Sequence, residues 1–125
     1  MNRLVETKKY VGTKDLDNTN LKVEVVKYEQ EWQSNHYHID RVIETKPLEH
    51  KVYHSPTGFN WGYGGSGPAD LARSILFDYL GCEPIPKIYQ KFKMDFIAKY
   101  EKNWVIEGET IADWLLINKW EGNIV

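Results

Sequence analysis

Four of the six residues from Gly62 to Gly67 are glycine, and Pro68 follows at once. No regular element holds such a run in its interior, because each glycine loses conformational entropy without a side chain to pack. The box from Ser55 to Leu71, SPTGFNWGYGGSGPADL, must therefore be a junction, and the chain on either side of it follows a different period. Upstream, Leu21 to Tyr28 alternates in part between apolar and polar residues. The turn-forming DLDNTN precedes it, which predicts a hairpin with residues near Tyr10 and Val11. His36 to Glu44 is a second extended run, with Tyr37, Ile39 and Arg41 on one face and His36, His38, Asp40 and Val42 on the other. Leu48 to His54 predicts a short strand leading into the box.

Downstream, Leu71, Ala72, Ile75, Leu76 and Tyr79 fall at helical spacing, from a start at Pro68 to a stop at Gly81. Ile88, Phe92, Phe96 and Tyr100 make the stripe of a second helix from about Pro86 to Tyr100, edged by Tyr89 and Ile97. Trp104 to Ile106 predicts a short strand or a packed turn. A third helix, about Glu109 to Lys119, turns Ile111, Trp114, Leu115 and Asn118 inward with Thr110 as its cap. Strands first and helices second give an α+β fold: an N-terminal antiparallel sheet with about three helices of the C-terminal half packed on one face. A chain of 125 residues has room for one core, so residues 1–125 are expected to form a single domain.

Sixteen basic against eighteen acidic residues leave a net charge of −2, which gives no general attraction to a phosphate backbone or an anionic membrane. Lys87, Lys91, Lys93 and Lys99 lie close enough for a local basic patch, and read first as a solvated helix face. Cys82 is the one cysteine, so an internal disulfide and a zinc site on paired thiolates are excluded, and a reducing compartment suits the chain. No apolar run approaches the length of a signal peptide or membrane span, and a soluble cytoplasmic protein is expected.

The chemistry concentrates in the box. Glycines permit positive φ and close approach, and a proline at the first helical position sets the entry of the chain. Amides at a helix start carry partial positive charge and hold phosphate or carboxylate, so Gly64, Gly65, Ser66 and Gly67 are the expected donors. Phe59, Trp61 and Tyr63 alternate beside them as flat faces on which a planar ring stacks. Asp70 would accept a hydrogen bond from a ribose or base, and Arg73 would pair with phosphate. The same glycines also suit a tight turn, with the aromatics closing the core. GYGGSGPAD lacks the Lys-Ser or Lys-Thr ending of a phosphate loop and the G-x-G-x-x-G spacing of a dinucleotide fold, which disfavours ATP hydrolysis and dinucleotide binding of the usual kinds.

The box SPTGFNWGYGGSGPADLA, followed by YQKFK, W-V-I and a terminal I-A-D-W-L, resembles the domain-of-unknown-function family 6166 of small bacterial and phage proteins. The resemblance runs from about Tyr53 to Leu115, and KKYVGTKD is similar to the family's opening strand and turn. It implies a shared fold and an origin on a mobile element, and no activity.

Histidines 36, 38, 50 and 54 lie close in sequence, and His36, His38 and Asp40 would share a strand face suited to a divalent metal. Alternating polar residues equally describe a solvated strand, and neither a metal site nor a cofactor is assigned. His54, just before the box, would serve as an acid or base on a ligand held there. The leading expectation is a protein that binds an anionic or nucleotide-like small molecule through His54 and the box, without a catalytic residue. One alternative is an interaction module that inhibits a host enzyme through the aromatic loop. Another is a small hydrolase using His54 and Asp70. A strand edge, or Trp114 with Trp120, would offer a dimer contact.

Overall fold

The computed structural model describes residues 3–17, 20–55 and 57–118. Strands β1 (Arg3–Lys14) and β2 (Leu21–Trp32) pair in unbroken antiparallel register from Arg3 opposite Trp32 to Lys14 opposite Leu21. This is the hairpin expected near Tyr10 and Val11, extended in both directions. Its turn is tied by the Asp15 amide to the Asn20 carbonyl (3.2 Å) and by Asn20 Nδ2 to the Asp15 carboxylate (2.8 Å). Strand β3 (His38–Pro47) pairs antiparallel with β2, with a bulge at the Lys27–Tyr28 step. Strand β4 (Trp104–Glu107) pairs antiparallel with β1, and the sheet order is β3-β2-β1-β4.

Residues directly opposite in a sheet share a face, so the register defines what each face carries. One face holds the rows Val25–Tyr10–Ile106 and Val23–Gly12–Trp104, every side chain of which is buried. Gly12 is a matter of room, since any Cβ there would overlap the Trp104 indole. Helices α1 (Ser66–Leu80), α2 (Pro86–Asp95) and α3 (Gly108–Ile117) supply the opposing layer. Leu71, Ile75, Leu76, Ile88, Phe92, Ile111, Trp114 and Leu115 join the front rows in one hydrophobic cluster. Each such side chain contributes about 1.5–3 kcal/mol on burial, so this face, not the opposite one, holds the helices. The α+β architecture read from the sequence is thus present.

Asp78 on α1 joins the layers by polar contacts, accepting hydrogen bonds from the Tyr10 hydroxyl at 2.6 Å and from Lys8 Nζ at 2.9 Å. Burial, and then this carboxylate, push the Tyr10 pKa far above that of a free phenol. Tyr10 therefore remains a donor.

Four local expectations differ. Helix α1 starts at Ser66, and Pro68 is its third residue, tolerated because a first-turn N–H has no helical acceptor to lose. Residues 48–54 form no strand: the Leu48 amide still donates to the Val23 carbonyl of β2 (2.9 Å), but α1 side chains take backbone groups of Lys51, Tyr53 and His54. The second helix stops at Asp95 and becomes a single 3-10 turn, Ile97–Lys99, whose Ile97 carbonyl accepts from the Gly62 amide at 3.1 Å. Helix α3 begins directly from β4 with Glu107 at the N-cap position and no side-chain cap, so Thr110 lies inside it. Lys119 and Trp120 fall outside the described residues, and with them the dimer contact built on Trp120.

Candidate ligand site at the glycine-rich box

Asp70 follows the first turn of α1 and is fully buried. Its Oδ1 accepts from the His54 amide (2.7 Å), while Oδ2 accepts from the Ser55 (2.9 Å) and Tyr53 (3.2 Å) amides and faces His50 Nε2 at 2.9 Å. Burial by itself would raise the carboxyl pKa; the His50 and backbone donors outweigh it and hold Asp70 below its ordinary range. A buried carboxylate so engaged is a clasp on residues 50–55, and it is turned into the chain, away from any ribose or base.

Arg73, one turn later, is also buried. Its Nη1 donates to the Lys51 carbonyl (3.1 Å), its Nη2 to Glu83 (2.6 Å), and its guanidinium lies 5.0 Å from the centre of the Tyr53 ring. Ser74 Oγ accepts from the Lys51 amide at 3.0 Å. Three polar residues of one helix thus hold the segment that periodicity marks as a strand. His54 Nε2 lies 2.7 Å from the Tyr89 hydroxyl, and burial, as the largest cause, raises the Tyr89 pKa. The histidine beside Asp70 is therefore His50; its ring packs against Phe59 at 4.4 Å.

Trp61 is only 1% exposed. Its Nε1 donates to the Lys102 carbonyl at 2.7 Å, and its ring meets Trp104 edge-on at 5.5 Å. Trp104 in turn stacks on Tyr100, which burial pushes up to about 12. Trp61 closes the end of the core, so a stacking ligand has no access to it.

Tyr63 and the start of α1 are different. Tyr63 is 49% exposed, and its ring lies across Gly65, where a Cβ would overlap it. Among the four glycines from Gly62 to Gly67, Gly62 alone has positive φ (90°), and a Cβ there would stand 2.8 Å from the Tyr100 carbonyl oxygen. Gly65 and Gly67 serve close packing instead: a Cβ on Gly67 would come within 2.9 Å of Asn60 Cβ. The N-cap Gly65 provides no side-chain cap, and no acidic residue stands in the first turn. The first bond in from the cap runs from the Ala69 amide to the Gly65 carbonyl (3.1 Å), and among the described residues the amides of Ser66 and Gly67 have no acceptor. Lys93 of α2 places Nζ 3.3 Å from the Gly64 carbonyl.

Of the residues singled out in the sequence, Tyr63, Gly64, Gly65, Ser66 and Gly67 are brought together at the helix start. Phe59, Trp61, His54, Asp70 and Arg73 form the packed support behind it. Sequence reasoning gave Lys93 and His50 other roles. Lys93 looked like one more residue of a solvated face, and only the packing of α2 against the box reveals its position. The histidines separate: His36 lies in the turn before β3, His38 Nδ1 bonds Asp40 at 2.6 Å, and His50 and His54 face Asp70 and Tyr89.

A family model matches residues 10–117, and the chain belongs to that family, described as a family of unknown function (DUF6166). No curated protein and no solved structure matches the chain. Among the described residues, no helix is long and apolar enough to cross a membrane.

Proposed function

We propose that the chain is a binding protein for an anionic small molecule, phosphate-bearing or nucleotide-like, held at the start of α1. The observation that supports this reading is the electrostatic state of that start. A 15-residue helix begins with free amides, without a capping side chain or first-turn acid, and with an ammonium group beside it. The amide of the exposed Ser66 and the Lys93 ammonium are the anion contacts, with the buried Gly67 packed behind them. Tyr63 is the face for a planar ring, in place of Trp61. The single cysteine suits a reducing compartment, and we place this binding in the cytoplasm.

The test is a thermal-shift and calorimetric screen of the full chain against inorganic phosphate, nucleotides and cyclic nucleotides. A true ligand at a hundredfold excess over its Kd stabilises the folded state by about 2.7 kcal/mol. Lys93→Glu should abolish the shift and Tyr63→Ala should weaken it for ring-bearing ligands only. The reading fails if no anion shifts the melting temperature, or if Lys93→Glu leaves the shift intact.

The exposure of Val52, Tyr53 and Tyr63 on the same loop supports a second reading, a contact patch for a host protein. A partner whose affinity survives Lys93→Glu and is lost with Tyr53→Ala would favour it over the anion site.

A further inference from the structure

Strand β1 runs from Arg3 to Lys14, yet β4 pairs with it only from Lys9 to Gly12. Beyond Glu107 the chain turns into α3, and Gly108 sits close against the Lys8 carbonyl. Among the described residues no strand pairs with β1 on this side from Arg3 to Thr7, so the stretch presents unpaired N–H and C=O groups. The other edge of the sheet is guarded differently. Strand β3 carries the bulge, with Arg41, Lys46 and Pro47 along it, features that discourage pairing. The open stretch of β1 has no bulge and no proline.

Two cavities of about 440 Å³ each flank this edge and share Glu6, Thr7 and Tyr79. One reaches across the back of the sheet to Asp40, Glu107 and Glu109, and the other lies towards Lys8 and Lys27. A strand laid along an edge sends successive side chains to opposite faces, so they would enter the two cavities in turn. The back cavity is acidic. Glu107 accepts from the Tyr28 hydroxyl at 2.6 Å, Asp40 faces His38 at 2.6 Å, and no lysine or arginine lines the space; Lys9 lies over the Tyr28 ring, 5.0 Å from its centre. The other cavity is balanced, with Lys8 held by Asp78 at 2.9 Å and Lys27 3.8 Å from Glu6.

We propose that the open edge of β1, Arg3 to Thr7, docks an extended peptide segment of a partner protein, which adds to the sheet as a strand and places a lysine or arginine side chain in the acidic cavity. This surface is separate from the anion site at α1 and stands or falls without it.

The probe is an acetylated, amidated peptide of about eight residues alternating valine and lysine, titrated into the full chain with amide exchange followed by NMR. Binding should slow exchange at amides between Arg3 and Thr7. The same peptide with glutamate for lysine should bind at least about tenfold more weakly, as should the lysine peptide on the Asp40→Asn, Glu107→Gln double variant. N-methylation of alternate peptide nitrogens, which removes donors without altering the protein, should abolish binding. The proposal is overturned by no binding at millimolar peptide, by binding that tolerates N-methylation on either set of alternate nitrogens, or by protection elsewhere than β1. Concentration-dependent dimerisation that protects these amides without peptide would also overturn it, by making a second copy the occupant.

Discussion

Helix α1 handles polar groups in opposite ways at Asp70 and at its own start. Asp70 is buried, and its two oxygens meet four donors from the chain. The amide of Ser66, an exposed residue, carries the opposite partial charge and has no acceptor among the described residues. Burial explains the contrast. An unpaired group inside the protein costs about 1–3 kcal/mol, more if charged, so the interior one must be satisfied by the chain; Ser66 at the surface is under no such pressure. The satisfied group serves stability, and the unsatisfied Ser66 amide stays exposed to solvent.

The largest effect should come from breaking the satisfied end. Asp70→Ala strands three backbone amides and the His50 ring, and we expect a loss of about 3–5 kcal/mol in urea unfolding. Truncating Ser66, by contrast, should cost less than about 0.5 kcal/mol. Equal costs would dissolve the distinction between the two regions.

Gly62→Ala comes next. Positive φ and the Tyr100 carbonyl 2.8 Å from the new Cβ act together, and the same residue's amide ties the box to the 3-10 turn. A loss of about 2 kcal/mol is expected, measured by the same unfolding curves. Gly65→Ala, at negative φ and facing only a movable ring, should cost much less.

Acid should sharpen the comparison further. In the folded chain Asp70 titrates below its unfolded value of about 4, so its stabilisation is complete above that value and is lost as pH falls through the lower, folded one. Asp95 behaves alike: burial alone would raise its pKa, but Lys91 and Trp114 bring it down. Stability measured from pH 6 downwards should fall below about pH 4, and Asp70→Asn should flatten that fall without removing it. An unchanged acid limb in Asp70→Asn would mean that the clasp contributes nothing.

The contrast also shows how far the sequence could be read. Elements whose apolar period faces a single surface were legible: Leu71, Ile75 and Leu76 in α1, Tyr10 opposite Val25 in the hairpin, Trp104 and Ile106 in β4. Elements whose backbone is claimed by a distant group were not. Residues 48–54 look like a strand because Leu48 and Val52 fit one, and nothing local shows that Asp70, Arg73 and Ser74 hold their amides and carbonyls. The second helix has apolar spacing through Tyr100, yet Gly62 takes the Ile97 carbonyl. At the site, the glycine box marked the location but not the roles. Trp61 and Tyr63 stand two apart in one aromatic alternation, and only the packing of Trp104 and Tyr100 decides which is core and which is surface.

A substitution with little expected effect on stability discriminates best for function. Gly65→Ala forces the Tyr63 ring off the helix start, because the new Cβ occupies its place, and a side chain 49% exposed can swing outward. The fold should lose no more than about 1 kcal/mol. If the helix start is the anion site and Tyr63 its stacking face, the variant separates two contributions. Inorganic phosphate needs only the Ser66 amide and Lys93, so its affinity should change by less than about threefold, whereas a nucleotide that stacks on the displaced ring should lose about tenfold or more. Equal losses for both ligands would show that the ring's position matters only through the backbone, and would remove Tyr63 from the site while leaving the amide in it.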